Sequence, residues 1–136
     1  MRATVRDLLI GVPQLTALIP PERWFQAGAV EDSPRLPFAI LRWISPVRSA
    51  SGRDMKQLQV AVYDRRGTYS TIDRILGDPD RPGPTVYTVL AGAAGVLGSD
   101  GYLAQADYLG NSGDQEDIDY KANLMFSSWQ IAGRNL

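Results

Sequence analysis

The residues that decide the fold are Ile118–Ile131, IDYKANLMFSSWQI. Ile118, Tyr120, Ala122, Leu124 and Phe126 sit at alternate positions, with Asp119, Lys121, Asn123 and Ser127 between them. A period of two sends the two sets to opposite sides of an extended chain, so this stretch reads as a strand with one buried face. Met125, Trp129 and Ile131 fall in the otherwise polar set. That is more hydrophobe than a solvated face usually carries, and part of this face is expected to lie under another element or another subunit. Immediately upstream, Tyr102 to Leu109 supplies the other arm of a long hairpin, joined through the acidic loop GNSGDQEDIDY at residues 110–120.

Working towards the N-terminus, the same logic yields two further strands. Phe38 to Val47 is nearly continuous in apolar residues. Met55 to Asp64 alternates Leu58, Val60 and Val62 with Gln57, Gln59 and Ala61. A turn containing Ser51-Gly52 joins them as an antiparallel pair. The period then changes: Gly67 ends the strand, Ser70 or Thr71 can cap, and Ile72, Ile75 and Leu76 recur at helical spacing. The breakers of GDPDRPGP at 77–84 interrupt this helix, and Thr85 to Leu97 resumes helical character, with the small residues of Gly92 to Gly98 at its end. Before the first strand, Thr4 can cap a helix running to Ile10, Pro13 opens a second short piece carrying Leu15, Leu18 and Ile19, and Arg23 to Gln26 reads as a short extended piece. The order helix, strand, strand, helix, strand, strand predicts an α+β fold, an antiparallel sheet of about four strands with helices packed on one face. Trp43, Phe38, Phe126 and Tyr63 are read as core residues.

Composition narrows the function. The 136 residues are 44% hydrophobic, enough for one core, and residues 1–136 are expected to form a single domain. With 14 basic and 15 acidic residues the formal charge is -1, so no global field draws the chain to nucleic acid or an anionic membrane. The N-terminal residues carry an acid and no long apolar run, and no window reaches the roughly 18 apolar residues of a membrane span, so the expectation is a cytosolic protein. The sequence contains no histidine and no cysteine. Ser-His-Asp, Cys-His and His-metal chemistry are thereby excluded, which leaves carboxylate, lysine or tyrosine chemistry. The dense acidic cluster Asp114, Glu116, Asp117 and Asp119 has neither the spacing nor the terminal Glu of a calcium loop, and reads as a solvated loop between strands before it reads as a metal site.

The segments VRDLLIGVPQLTALIP (5–20), RWFQAG (23–28), LPFAILRWIS (36–45), LQVAVYDRRGTYSTIDRIL (58–76) and YKANLMFSSWQIAGR (120–134), in this order, resemble the tail terminator, or tail completion, family of long-tailed bacteriophages. The resemblance covers most of the chain. The two-part helix around GDPDRPGP departs from the family's usual single helix. What the resemblance implies is a non-enzymatic structural protein with no cofactor, a homo-oligomeric ring, in the family usually a hexamer. Such a ring caps the head-proximal end of the tail tube, ends its polymerisation, offers a surface to the head–tail connector, and lets DNA pass through its lumen without specific binding. It is a virion component assembled in the host cytoplasm. On that reading Arg48, Arg53, Asp114, Glu116, Asp117 and Trp129 are the candidate interface residues. Arg48 and Arg53 either line the DNA channel or pair with the acidic loop of the adjacent subunit. Pairing is favoured because sliding DNA gains little from strong phosphate contacts. The rival readings are another neck ring protein, a small carboxylate-based metal-binding or enzymatic domain around Asp114 to Asp119, and a cellular adaptor.

Overall fold

A computed structural model describes residues 1–48 and 54–136, with side chains outside 45–54. The core of the fold is a curled sheet of seven strands: β1 (Trp24–Gln26), β2 (Phe38–Arg48), β3 (Asp54–Arg65), β4 (Ala94–Leu97), β5 (Gly101–Asn111), β6 (Gln115–Asp117) and β7 (Ala122–Asn135). The strands lie in the order β1-β2-β3-β7-β5-β4, and β6 pairs with β7 in line with β5. All neighbours are antiparallel except β1 and β2. The class is α+β, as the element order predicts, but the sheet is mixed and larger than four strands. The additions are short segments at its margins: β1, β4 and β6, each of three or four residues.

Four short helices, α1 (Arg2–Ile10), α2 (Pro13–Thr16), α3 (Ser70–Leu76) and α4 (Val86–Ala91), cover one face. Val5, Leu9, Leu15, Ile72, Ile75, Leu76, Val86 and Leu90 are fully buried there against Leu41, Leu58, Val60, Val62, Leu103 and Trp129. At roughly 1.5–3 kcal/mol per fully buried large apolar side chain, this layer is the main source of stability. Among the described residues no helix is long and apolar enough to cross a membrane.

The opposite face carries a smaller cluster. Phe38 and Tyr63 stack with ring centroids 4.6 Å apart. Tyr120 meets both edge-on, at 5.2 and 5.4 Å, and Phe25 packs edge-on to Phe38 at 6.1 Å. Ala122 and Leu124 complete the cluster, with Val30 and Leu36 of the β1–β2 connection lying over it.

Three expectations need correction. Thr4 does not open α1: the helix starts at Arg2, because a carboxylate from elsewhere in the chain satisfies its first N–H groups. The helical run expected over Thr85 to Leu97 ends at Ala91. Residues Ala94–Leu97 instead pair with β5 as an edge strand, the ladder overriding weak helical preferences in a Gly- and Ala-rich segment. The acidic segment is not a loop spanning a hairpin, since Gln115–Asp117 pairs with Leu124, Asn123 and Ala122, and the turn that follows it is confined to residues 118–121.

Candidate assembly interface

The acidic residues gather at one end of the sheet, on β6 and the turn into β7. In that turn, residues 118–121, the Asp117 carboxylate accepts the Tyr120 N–H at 2.9 Å, an Asx-type contact that helps reverse the chain. Lys121 closes the turn with φ 50°, in the left-handed region. The turn thrusts Ile118 into solvent at 82% exposure, between two carboxylates, Asp117 and Asp119. Ile118 was expected on the buried face of a strand; it lies outside the strand altogether. Glu116 is exposed, and Asp117 is half-buried beside the aromatic cluster. There the Tyr63 phenol is pushed up by burial and then by the charges of Asp117 and Tyr120, against the lowering effect of Arg42. Among the described residues no three carboxylates converge in a way that holds a metal ion.

The other end of the sheet is built around Asp100, in the turn before β5. Its carboxylate accepts the Ala3 and Thr4 N–H groups at 2.9 Å each and the Thr4 hydroxyl at 2.7 Å. It also lies 2.9 Å from the Met1 amino group. This is helix capping by a distant residue: a negative charge set on the unpaired donors and positive dipole end of α1. Burial works against the charged form, but the hydrogen bonds from Thr4, Ala3 and the Met1 amino group hold the Asp100 carboxyl well below the usual carboxylate range. Close approach is enforced by glycines. A Cβ on Gly101 would stand 2.8 Å from the Met1 nitrogen, and one on Gly133 would overlap the Met1 side chain and the Tyr102 carbonyl.

Beside this clamp lies a cleft of about 530 Å³ lined by Met1, Arg2, Trp43, Ile44, Lys56, Asp100 and Asn135. Its lining includes the apolar residues Trp43 and Ile44, the latter 37% exposed, and the cations Arg2 and Lys56. The Trp43 indole N–H is buried without an acceptor. β1 pairs with Ala39, Ile40 and Leu41 of β2, so among the described residues no strand lies on the outer side of β2 beyond Leu41, where it continues past this cleft. Sequence reasoning missed the cleft, because residues 1–2, 43–44, 56, 100 and 135 meet only through the fold. Trp43 was the single visible signal, and it read as core.

The sequence-selected residues therefore divide between the two ends. Asp114, Glu116 and Asp117 belong to the acidic end. Arg48 terminates β2 opposite Asp54, at the far end, and Arg53 lies outside the described residues. From the Asp54 end of β3 to Arg65, opposite Ala122, the strand spans roughly 35 Å at about 3.3 Å per residue. Trp129 belongs to neither end: it is fully buried on the helix face between Tyr87 and Tyr108, its indole donating to Ser127 Oγ at 3.0 Å. It is a core residue and not the interface residue expected.

No family model matches the sequence, and no curated protein matches it. Among solved structures, the fold is similar to that of a chain in the virion of a native gene transfer agent particle, with a TM-score of 0.67 and 13% identity, over 98% of this chain and 93% of that one.

Proposed function

We propose that this protein is a structural component of a phage-like virion. Within that class we assign it to the head-proximal end of the tail, as a non-enzymatic ring, hexameric in the resembling family, that caps the tail tube and presents a surface to the head connector while DNA passes through its lumen. The observation that carries the reading is the end-to-end likeness of fold to a virion chain, extending over nearly the whole length of both. It agrees with the order of segments that resembles tail terminators.

The sheet geometry supports ring assembly. The exposed carboxylates of Asp114, Glu116 and Asp119, with Lys121 beside them, stand at one end of the sheet, and the cations Arg2 and Lys56 at the other, too far apart to meet within a chain. Two different patches that complement each other make a head-to-tail contact, which closes into a ring where the rotation permits. Another neck ring protein is the runner-up, since the same likeness of fold accommodates it.

Negative-stain electron microscopy of the purified protein, with and without tail tubes from the same source, tests the reading. Rings, or caps on one end of the tubes, are the expected result. Particles that ignore both tube ends but bind DNA-filled heads move the assignment to the neck, and particles that bind neither remove it from the tail.

A further inference from the structure

We infer that the turn carrying Ile118 is a docking knob whose socket is the Trp43 cleft of a second copy of this chain. The inference rests on the ring reading and names the contact that would build it. Four observations meet here. Ile118 is the most exposed large hydrophobic residue described, at 82%, and a turn held by the Asp117–Tyr120 contact presents it in a defined direction. The cleft is lined in part by the apolar residues Trp43 and Ile44, and its volume of about 530 Å³ exceeds that of a branched side chain. The charges are complementary on balance: Asp114, Glu116, Asp117 and Asp119 outnumber Lys121 around the knob, while Arg2 and Lys56 line the socket. Asp100, the acid of the socket, is already saturated by α1 and the Met1 amino group. Finally, Trp43, which lines the cleft, carries a buried indole N–H with no acceptor among the described residues.

The knob belongs to a second copy and not to the same chain. β7 begins at Ala122, which pairs with Asp117 beside the knob, and ends at Asn135, which lines the socket. Fourteen extended residues separate the two by about 45 Å. Knob and socket are different patches, so the contact is heterologous. Each copy keeps one of each free until the chain of contacts closes.

The chain has no cysteine, so introduced thiols are the only ones present. Ile118→Cys and Ile44→Cys both alter exposed side chains, and each variant is prepared alone and then mixed with the other, with and without tail tubes, under mild oxidation. Cross-linked dimer is expected in the mixture and from neither variant alone, and the double variant should give a ladder ending at the ring size. In parallel, Lys56→Glu or Asp119→Lys should abolish rings, and the two together should restore them. Rings or caps that persist with no mixed cross-link overturn the inference while leaving the terminator reading intact, and place the knob against another virion protein or solvent. Cross-linking of Ile118→Cys to itself overturns it as well, by showing a two-fold contact. A mixed cross-link in a protein that ignores tube ends upholds the contact and removes the terminator reading. Absence of rings, caps and cross-links removes both.

Discussion

The two faces of β7 differ in what covers them. On the odd-numbered face Met125, Trp129 and Ile131 lie under the helices with two polar neighbours, Asn123 and Ser127, that are equally buried. Those polar groups are tolerated because each has a partner: Asn123 Nδ2 donates to the Thr68 carbonyl at 3.2 Å, and Ser127 Oγ accepts the Trp129 indole N–H. On the even-numbered face Ala122, Leu124 and Phe126 join an aromatic cluster that no helix covers, and the strand passes on to half-exposed Ser128, Gln130 and Ala132. The face that reads as the polar one at the start of this segment, with Asp119, Lys121, Asn123 and Ser127, is thus the deeper one within the strand. Burial follows what the rest of the chain lays on a strand, and hydrogen-bonded polar groups do not prevent it.

Substitutions can break this ranking. Trp129→Ala should have the largest effect, about 3–5 kcal/mol of unfolding free energy, read from urea titration followed by circular dichroism. Phe38→Ala, in the cluster on the opposite face, should cost about 3 kcal/mol. A loss equal to that of Trp129→Ala would make the two faces equivalent cores. At the clamped end, Gly133→Ala forces the Tyr102 backbone aside and should cost about 1–3 kcal/mol, visible as a lowered thermal midpoint.

Asp100→Asn should cost about 1 kcal/mol at neutral pH, the range of a lost helix cap. The folded-state pKa of Asp100 is depressed, so its contribution is complete above the unfolded value near 4 and fades as pH falls through the folded value. The stability gap between the native chain and Asp100→Asn should therefore be constant above about pH 5 and narrow in acid; a gap that widens in acid would refute the assignment. Smallest of all, Ile118→Ser should shift stability by less than about 0.5 kcal/mol, because an exposed side chain at 82% supports no core. A large loss would mean that Ile118 packs within its own chain.

Much of the central sheet was legible. The strands found at Phe38–Arg48, Asp54–Arg65 and Ala122–Asn135 were read at 38–47, 55–64 and 118–131, the first from a nearly continuous apolar run and the other two from alternation of apolar and polar residues. The margins were not legible. β4 and β6 are three or four residues long, too short for a period to register, and their sequences AGVL and QED have little strand preference of their own. They become strands because β5 and β7 offer unpaired backbone groups beside them. The acidic end of the candidate interface was visible as composition, although its key apolar residue, Ile118, was assigned to the wrong environment. The cleft was invisible, since its lining comes from residues spread between Met1 and Asn135.

By itself the sequence determined the α+β class, the long antiparallel strands, the helix face of α3 and, through its lack of histidine and cysteine, the exclusion of chemistry that needs an imidazole or a thiol. These are local properties: a period, a breaker, a missing side chain. Only the tertiary structure decided which face of β7 lies deeper, that Asp100 caps a helix almost a hundred residues away in sequence, and that the exposed turn of Ile118 and the Trp43 cleft occupy opposite ends of one sheet. Each of these depends on pairs of residues brought together by the strand order, and strand order is set by the summed burial of the whole chain, which no short window of sequence contains.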